Sequence, residues 1–254
     1  MAAARAGGPR SGPGPGPDPR SGPGPGPDPR SDRGPVPLLV ACALRIEQAA
    51  LRSGGERGAP DRYALLRTGM GPRAAERAVG RALAEPALRG AAVLATGFCA
   101  GLVPGMHPGD LVVAEETRDP RGTVACSGTA LLAEALARAA PGRTVHTGPL
   151  TGSDHVVRGQ ERAQLRAGGA IAVDMESAAT LWTAARAGPP WPPAPPGPPG
   201  PHRPVAAVRV IVDAPEHELL RIGTVRGGIS AFRVLRAVMP AFYDWHRSLL
   251  LPRR

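Results

Sequence analysis

The chain has 254 residues, a formal charge of +10, 42% hydrophobic residues and only 3% aromatic ones. All of its basic side chains are Arg, since Lys is absent, and they are spread along predicted helices among Glu and Asp rather than clustered. No zinc-finger or RNA-recognition motif accompanies them, which argues against nucleic-acid binding. Three cysteines without CxxC pairing, an opening MAAARAGGPR without an apolar signal region, and no run of membrane-spanning length point to a reduced, soluble, cytoplasmic protein.

Residues 1–34 contain SGPGPGPDPR at 11–20 and again at 21–30. Such a Pro/Gly tract has too little apolar surface to offset the ordering of its backbone and reads as a disordered tail ahead of a domain over 35–254. PLLVACAL (37–44) is a buried-strand pattern, followed by a short helix from Arg45 to Arg52 with Ile46, Ala49 and Ala50 on one side and Glu47 just past the strand's carboxyl end. RYALLRTG (62–69) predicts a second strand and residues 69–85 a turn and helix; GAAVLATG (90–97) and DLVVAEE (110–116) are further strands. Helix 129–140, a strand near 143–150, helix 158–167, strand 170–174 and a helix from Ala178 to Ala187 come next. A last strand (205–215) precedes a helical stretch from about Gly228 to Leu250. This alternation predicts a single-domain three-layer α/β/α fold with a largely parallel sheet. The segment 188–204, rich in proline, is an insert between a helix and a strand, at the end of the sheet away from the ligand edge, and reads as a linker rather than a PxxP ligand.

Ligands of parallel α/β sheets sit where strands hand over to helices. In AIAVDMESAA (170–179) that handover carries Asp174 and Glu176, which suit substrate contact but equally suit the first turn of a helix, where unpaired N–H groups attract negative charge. Glu47, Glu176 and Asp213 fall at the carboxyl ends of three separate predicted strands. TGMGPRAA (68–75) mimics a dinucleotide fingerprint, but the next strand ends in Ala95, Thr96 and Gly97 without the acid that would hold a ribose. TGFCAGLVPG (96–105) reads as a small-residue loop whose Phe98 either stacks on a planar base or belongs to the core. GxxxxGK[ST], HExxH and GxSxG are absent, and the histidines lack metal spacing; only His155, in TGSDHVV (151–157), lies near a predicted site loop.

Together CALRIEQ (42–48), TGMG (68–71), TGFCAGLVPGMHPGDLVV (96–113), TGSDHVV, AVDMESAA (172–179) and VRVIVDAP (208–215) resemble the purine nucleoside phosphorylase/nucleosidase superfamily. The resemblance lies on the branch of methylthioadenosine/S-adenosylhomocysteine nucleosidase and is greatest to phosphorylase-type proteins associated with hopanoid biosynthesis. It implies that Asp213 protonates the departing base, Glu47 handles the attacking water, and Met175 and Glu176 hold the ribose. Gly97, Phe98, Val156, Val157 and Arg209 are the further substrate-binding positions it implies, with neither metal nor cofactor. Two departures, Val212 and Phe98 where the family has serines, make the pocket more apolar, and Arg45 is the only cation after the first strand, where phosphorylases carry a phosphate loop. The implied reaction is hydrolysis of an adenine nucleoside, adenosylhopane in hopanoid lipid biosynthesis, by a homodimer. Phosphorolysis of the same substrate, cleavage of methylthioadenosine/S-adenosylhomocysteine or futalosine, and a catalytically inactive nucleoside-binding module are the alternatives. A lipid-linked substrate adds an expected peripheral membrane contact. Phe232, Leu235, Met239, Phe242, Trp245 and Leu249 continue one apolar helical face from Ile229, interrupted by Pro240, which either closes the sheet or, from Trp245 to Arg254, touches an anionic membrane interface.

Overall fold

The computed structural model describes residues 36–55, 63–187, 203–215 and 224–250, all within one compact unit, Pro35–Arg254. The predicted tail (1–34), residues 188–202 of the Pro-rich insert, the side chain of Ile229 and residues 251–254 lie outside the described residues.

Strand β1 (Leu38–Cys42) is buried at every position, as expected of a strand covered on both faces. It pairs in parallel with β2 (Tyr63–Arg67) and β3 (Ala92–Gly101). The others are β4 (Leu111–Asp119), β5 (Gly122–Ala125), β6 (Val145–Gly152), β7 (Ala172–Asp174) and β8 (Val205–Asp213). The α/β class and the largely parallel sheet are as the alternation predicts. The pairings add something it does not: β3 pairs with β8, β8 with β4, β4 with β6, β6 with β7, and β7 with β3 again, closing a ring. Two of those links, β3 to β7 and β4 to β8, are antiparallel. The ring closes because β3 is long. Expected to end near Gly97, it runs on to Gly101, bends at Gly97 (φ +131°), and shifts register against β8 between Cys99 and Ala100. Its last residues then meet β7, Ala100 opposite Val173. TGFCAG is therefore strand, not loop.

Period-two alternation sends side chains to two cores. On one face Leu38, Val40, Cys42, Val208 and Val210 pack under α1 (Arg45–Gly54), α3 (Thr129–Ala139), α6 (Thr224–Ala237) and α7 (Met239–Leu250). On the other, Leu39, Val93, Ala207 and Ile211 pack under α2 (Pro72–Ala84) and α5 (Ser177–Arg186). The remaining helix, α4 (Gln160–Ala167), has no buried residue. Strand β5 was not expected; it forms a hairpin with β4 around Asp119, Pro120, Arg121 and Gly122, a turn composition the sequence does display.

One local expectation is corrected, and one pair of alternatives is decided for Phe242 to Trp245. Ile46 is 52% exposed, and the inner face of α1 is Glu47, Ala50 and Leu51, because the Glu47 carboxylate has backbone partners inside. The aromatic end of the chain is core: Phe242, Tyr243 and Trp245 are at most 1% exposed, and the Trp245 indole donates to the Ser127 carbonyl (2.7 Å). Trp245 therefore cannot enter a membrane interface. Pro240 falls in the first turn of α7, where its missing N–H costs little. Among the described residues no helix is long and apolar enough to cross a membrane.

Arg203, buried just before β8, donates to the carbonyls of Ala184, Ala91, Arg89 and Ala187, joining the end of α5 to the turn before β3. Arg203→Met strands these acceptors and should lower stability by about 3 kcal/mol, read as a fall in Tm of roughly 6–12 °C. A second check uses pH. Burial of His246 holds its pKa below the ordinary 6.5, so the unfolded chain takes up this proton first and stability is lost as pH falls below about 6.5. His246→Gln should flatten the Tm-against-pH curve between pH 7 and 5 relative to the parent.

Candidate active site

The carboxyl ends of β1, β3 and β8 lie side by side, and β7 meets the end of β3, so the segments following these strands converge. Glu47, in the first turn of α1, accepts from the N–H groups of Ala43 (2.9 Å) and Leu44 (2.8 Å) through Oε2 and of Phe98 (2.8 Å) through Oε1. A carboxylate has about four lone-pair positions. Three are taken here, leaving Oε1 able to accept one further proton donor. Glu47 is thus both a helix cap and a cavity wall.

The strand-to-helix handover after β7 divides its two acids. Asp174 turns inward to the Arg209 guanidinium (Nε–Oδ2 2.5 Å) and the Ser177 N–H. Glu176 turns to the cavity, with Oε1 accepting from Gly71 N–H (2.8 Å). Asp174 thus takes the capping contact with the Ser177 N–H, and Glu176 the contact with the Gly71 N–H. Gly71, at φ +86° before α2, aims its N–H at that carboxylate, which explains the glycine-rich turn without a dinucleotide. Burial raises the Glu176 pKa, with Arg209 acting in the opposite direction. Arg209 itself is 1% exposed; burial works against its charge, but Asp174, Glu176 and Glu47 together hold its pKa above the ordinary value.

Asp213 ends β8. Its Oδ2 accepts from Arg162 Nη1 of α4 (3.2 Å), while Oδ1 is buried without a hydrogen-bond partner. Glu47, Glu176 and Asp213 line a cavity of about 230 Å³ with Met175, Phe98, Val156, Val157 and Val212. Phe98 is half-buried, packed against the core while it also walls the cavity. Val156 and Met70 are exposed at the mouth, and Val157 is buried. Gly97 and Arg209 do not line the cavity; they sit behind Glu47 and Asp174 as supports. His155 stands on the wall between Asp154 (2.7 Å) and Glu161 (3.0 Å), whose hydrogen bonds raise its pKa. Cys99 also borders the cavity, but burial pushes its thiol pKa up and makes it a poor nucleophile. Among the described residues no group of three His, Cys, Asp or Glu side chains could hold a metal ion. Arg162 was missed from sequence, since nothing in a polar helix marks one arginine of several.

The fold belongs to a known class: the phosphorylase superfamily model matches residues 59–222, and the chain is a member of that superfamily. Solved structures agree on the fold. A 5′-methylthioadenosine/S-adenosylhomocysteine nucleosidase from Neisseria meningitidis, in complex with methylthio-immucillin-A, is 21% identical, with 82% of this chain and 98% of that chain covered and a TM-score of 0.62. S-adenosylhomocysteine nucleosidase from Streptococcus pyogenes, bound to 5-methylthiotubericidin, is 16% identical over 86% of this chain and 99% of that chain, with a TM-score of 0.64. Futalosine hydrolase from Helicobacter pylori is 15% identical over 82% and 97%, with a TM-score of 0.63. No curated protein sequence matches the chain.

A Cβ placed on Gly97 would stand 2.5 Å from Glu47 Oε1 and 2.8 Å from Arg209 Nη1, at a backbone φ that L side chains rarely adopt. Gly97→Ala should therefore displace Glu47 and cost at least about a hundredfold in kcat, with a Tm loss of a few degrees. Parental turnover by this variant would mean that Glu47 has no fixed role.

Proposed function

We propose that the chain is a nucleosidase that hydrolyses the N-glycosidic bond of an adenine nucleoside bearing a large apolar 5′-substituent. The observation that carries this is the convergence of three carboxylates, each with different partners, on one mostly apolar cavity. Breaking the C1′–N9 bond sends its electron pair to the base and leaves positive charge on the ribose. Asp213 gives a proton to a base nitrogen. Glu176 grips the 2′- and 3′-hydroxyls through charge-assisted hydrogen bonds and faces the developing cation. Glu47 Oε1 takes a proton from the water whose oxygen bonds to C1′. The products are adenine and the free sugar.

The structural neighbours, nucleosidases for methylthioadenosine and S-adenosylhomocysteine and a futalosine hydrolase, support a reaction of this class. Water is favoured over phosphate because Glu47 would repel a dianion, and Arg45, the one cation following β1, is exposed and outside the cavity. Phe98 and Val212 line the cavity, and Met70 and Val156 expose apolar surface at its mouth, which suits a hydrocarbon 5′-substituent. Adenosylhopane is the substrate that fits both this chemistry and the sequence resemblance.

Purified protein should release adenine from a 5′-alkylated adenosine in phosphate-free buffer, followed by chromatography. Asp213→Asn and Glu47→Gln should each lower kcat about a hundredfold or more, and Glu176→Gln should raise KM as well as lower kcat. Strict dependence on added phosphate, with a ribosyl 1-phosphate product, would replace hydrolysis by phosphorolysis.

A further inference from the structure

We propose that Arg162 is the positioning residue for Asp213, fixing which carboxyl oxygen faces the leaving base and neutralising the aspartate formed when its proton departs. The inference rests on the nucleosidase reading above. Arg162 belongs to α4, a helix with no buried residue, yet its own side chain is only 12% exposed and that of Asp213 is 17% exposed. Arginine on a solvent-facing helix ordinarily extends into water. Here it reaches inward with both terminal nitrogens engaged, Nη1 on Asp213 Oδ2 (3.2 Å) and Nη2 on the Gly101 carbonyl (3.0 Å) at the end of β3.

Two anchors fix the plane of the guanidinium, and the plane fixes the carboxyl. With Oδ2 held, Oδ1 is the buried oxygen left without a partner, and Asp213 borders the cavity. An unsatisfied buried oxygen is costly unless something completes it. A proton on Oδ1, passed to a base nitrogen as the C1′–N9 electron pair moves onto the base, does so. Proton transfer leaves a carboxylate beside the waiting cation, an arrangement that gains strength as the charge develops and so acts on the rate rather than on ground-state binding. Arg162 also lies five residues after Val157, and Leu165 of the same helix packs on Val157, Leu102, Ala170 and Val173. The helix that carries the cation thus continues directly from the segment that walls the base side of the cavity.

A plain structural ion pair, holding α4 in place, makes different predictions, and kinetics separate the two. On the full chain, kcat, KM and Tm are measured for the parent and for Arg162→Met, Arg162→Lys, Leu165→Ala and Asp213→Asn, by adenine release from adenosine, 5′-methylthioadenosine and a 5′-alkylated adenosine. Arg162→Met should lower kcat about thirtyfold with KM changed less than about threefold. Arg162→Lys keeps the charge but not the two-point anchor and should recover only part of that loss. Leu165→Ala loosens α4 without touching Asp213, so it should lower Tm while kcat stays within about twofold of the parent. Parental kcat in Arg162→Met alongside an inactive Asp213→Asn would overturn the role of Arg162 and leave the nucleosidase reading intact. Equal losses in both Arg162 variants, tracking Tm and shared by Leu165→Ala, would reduce the contact to packing of α4. Full activity of Asp213→Asn, or no adenine from any of the three nucleosides, would overturn the nucleosidase reading itself and this inference with it.

Discussion

Arg209 is buried at the centre of the domain, on the strand that links the two halves of the ring, and a buried arginine is tolerable only where carboxylates and acceptors surround it. Asp174 and Ser177 meet its Nε directly, and Glu176 and Glu47 contribute their fields. This one cation sets the layout of the site. By drawing Asp174 inward it leaves Glu176, two residues on, to face the cavity. By standing beside the bend of β3 at Gly97 it shares its space with Glu47. Removing either partner of the Arg209–Asp174 pair would leave a lone charge in the interior, which is more disruptive than losing both.

The carboxylates accordingly differ in what they touch. Glu47 is held by three backbone N–H groups, so its position is fixed by main chain from two different strand ends. Glu176 has one backbone donor and a pKa raised by burial. Asp213 is paired with a cation from a helix that is otherwise solvent-facing. Apolar side chains, among them Phe98, Val173 and Val212, stand between them, and polar contacts strengthen where such walls lower the local dielectric.

Much of this was legible in the sequence because strand-to-helix handovers are local. The placement of Glu47, Glu176 and Asp213 needs only the hydrophobic runs before them, and the two cores follow from alternation within those runs. What stayed hidden depends on distance. Whether Asp174 or Glu176 faces the cavity is decided by Arg209, more than thirty positions away. Ring closure depends on β3 running past Gly97, and a glycine-rich stretch reads equally as loop or bent strand. The Arg162–Asp213 contact spans 51 positions and leaves no local mark. The aromatic end stayed open to two readings for a related reason: Phe, Trp and Leu on one helical face look the same whether that face meets lipid or a sheet.

The Arg203 clasp bears on how the chain closes on itself. Its guanidinium grips the carbonyl of Ala187, where the described backbone leaves α5, and sits itself where the backbone returns toward β8. To the folded domain the two ends of the intervening stretch are a single fixed point. The cost of closing a chain between ends so held grows only logarithmically with its length, about 0.6 kcal/mol for each doubling. The clasp thus gives the domain one closed junction, at the flanks of α5 and β8, whose cost depends little on the length of chain that joins its two sides.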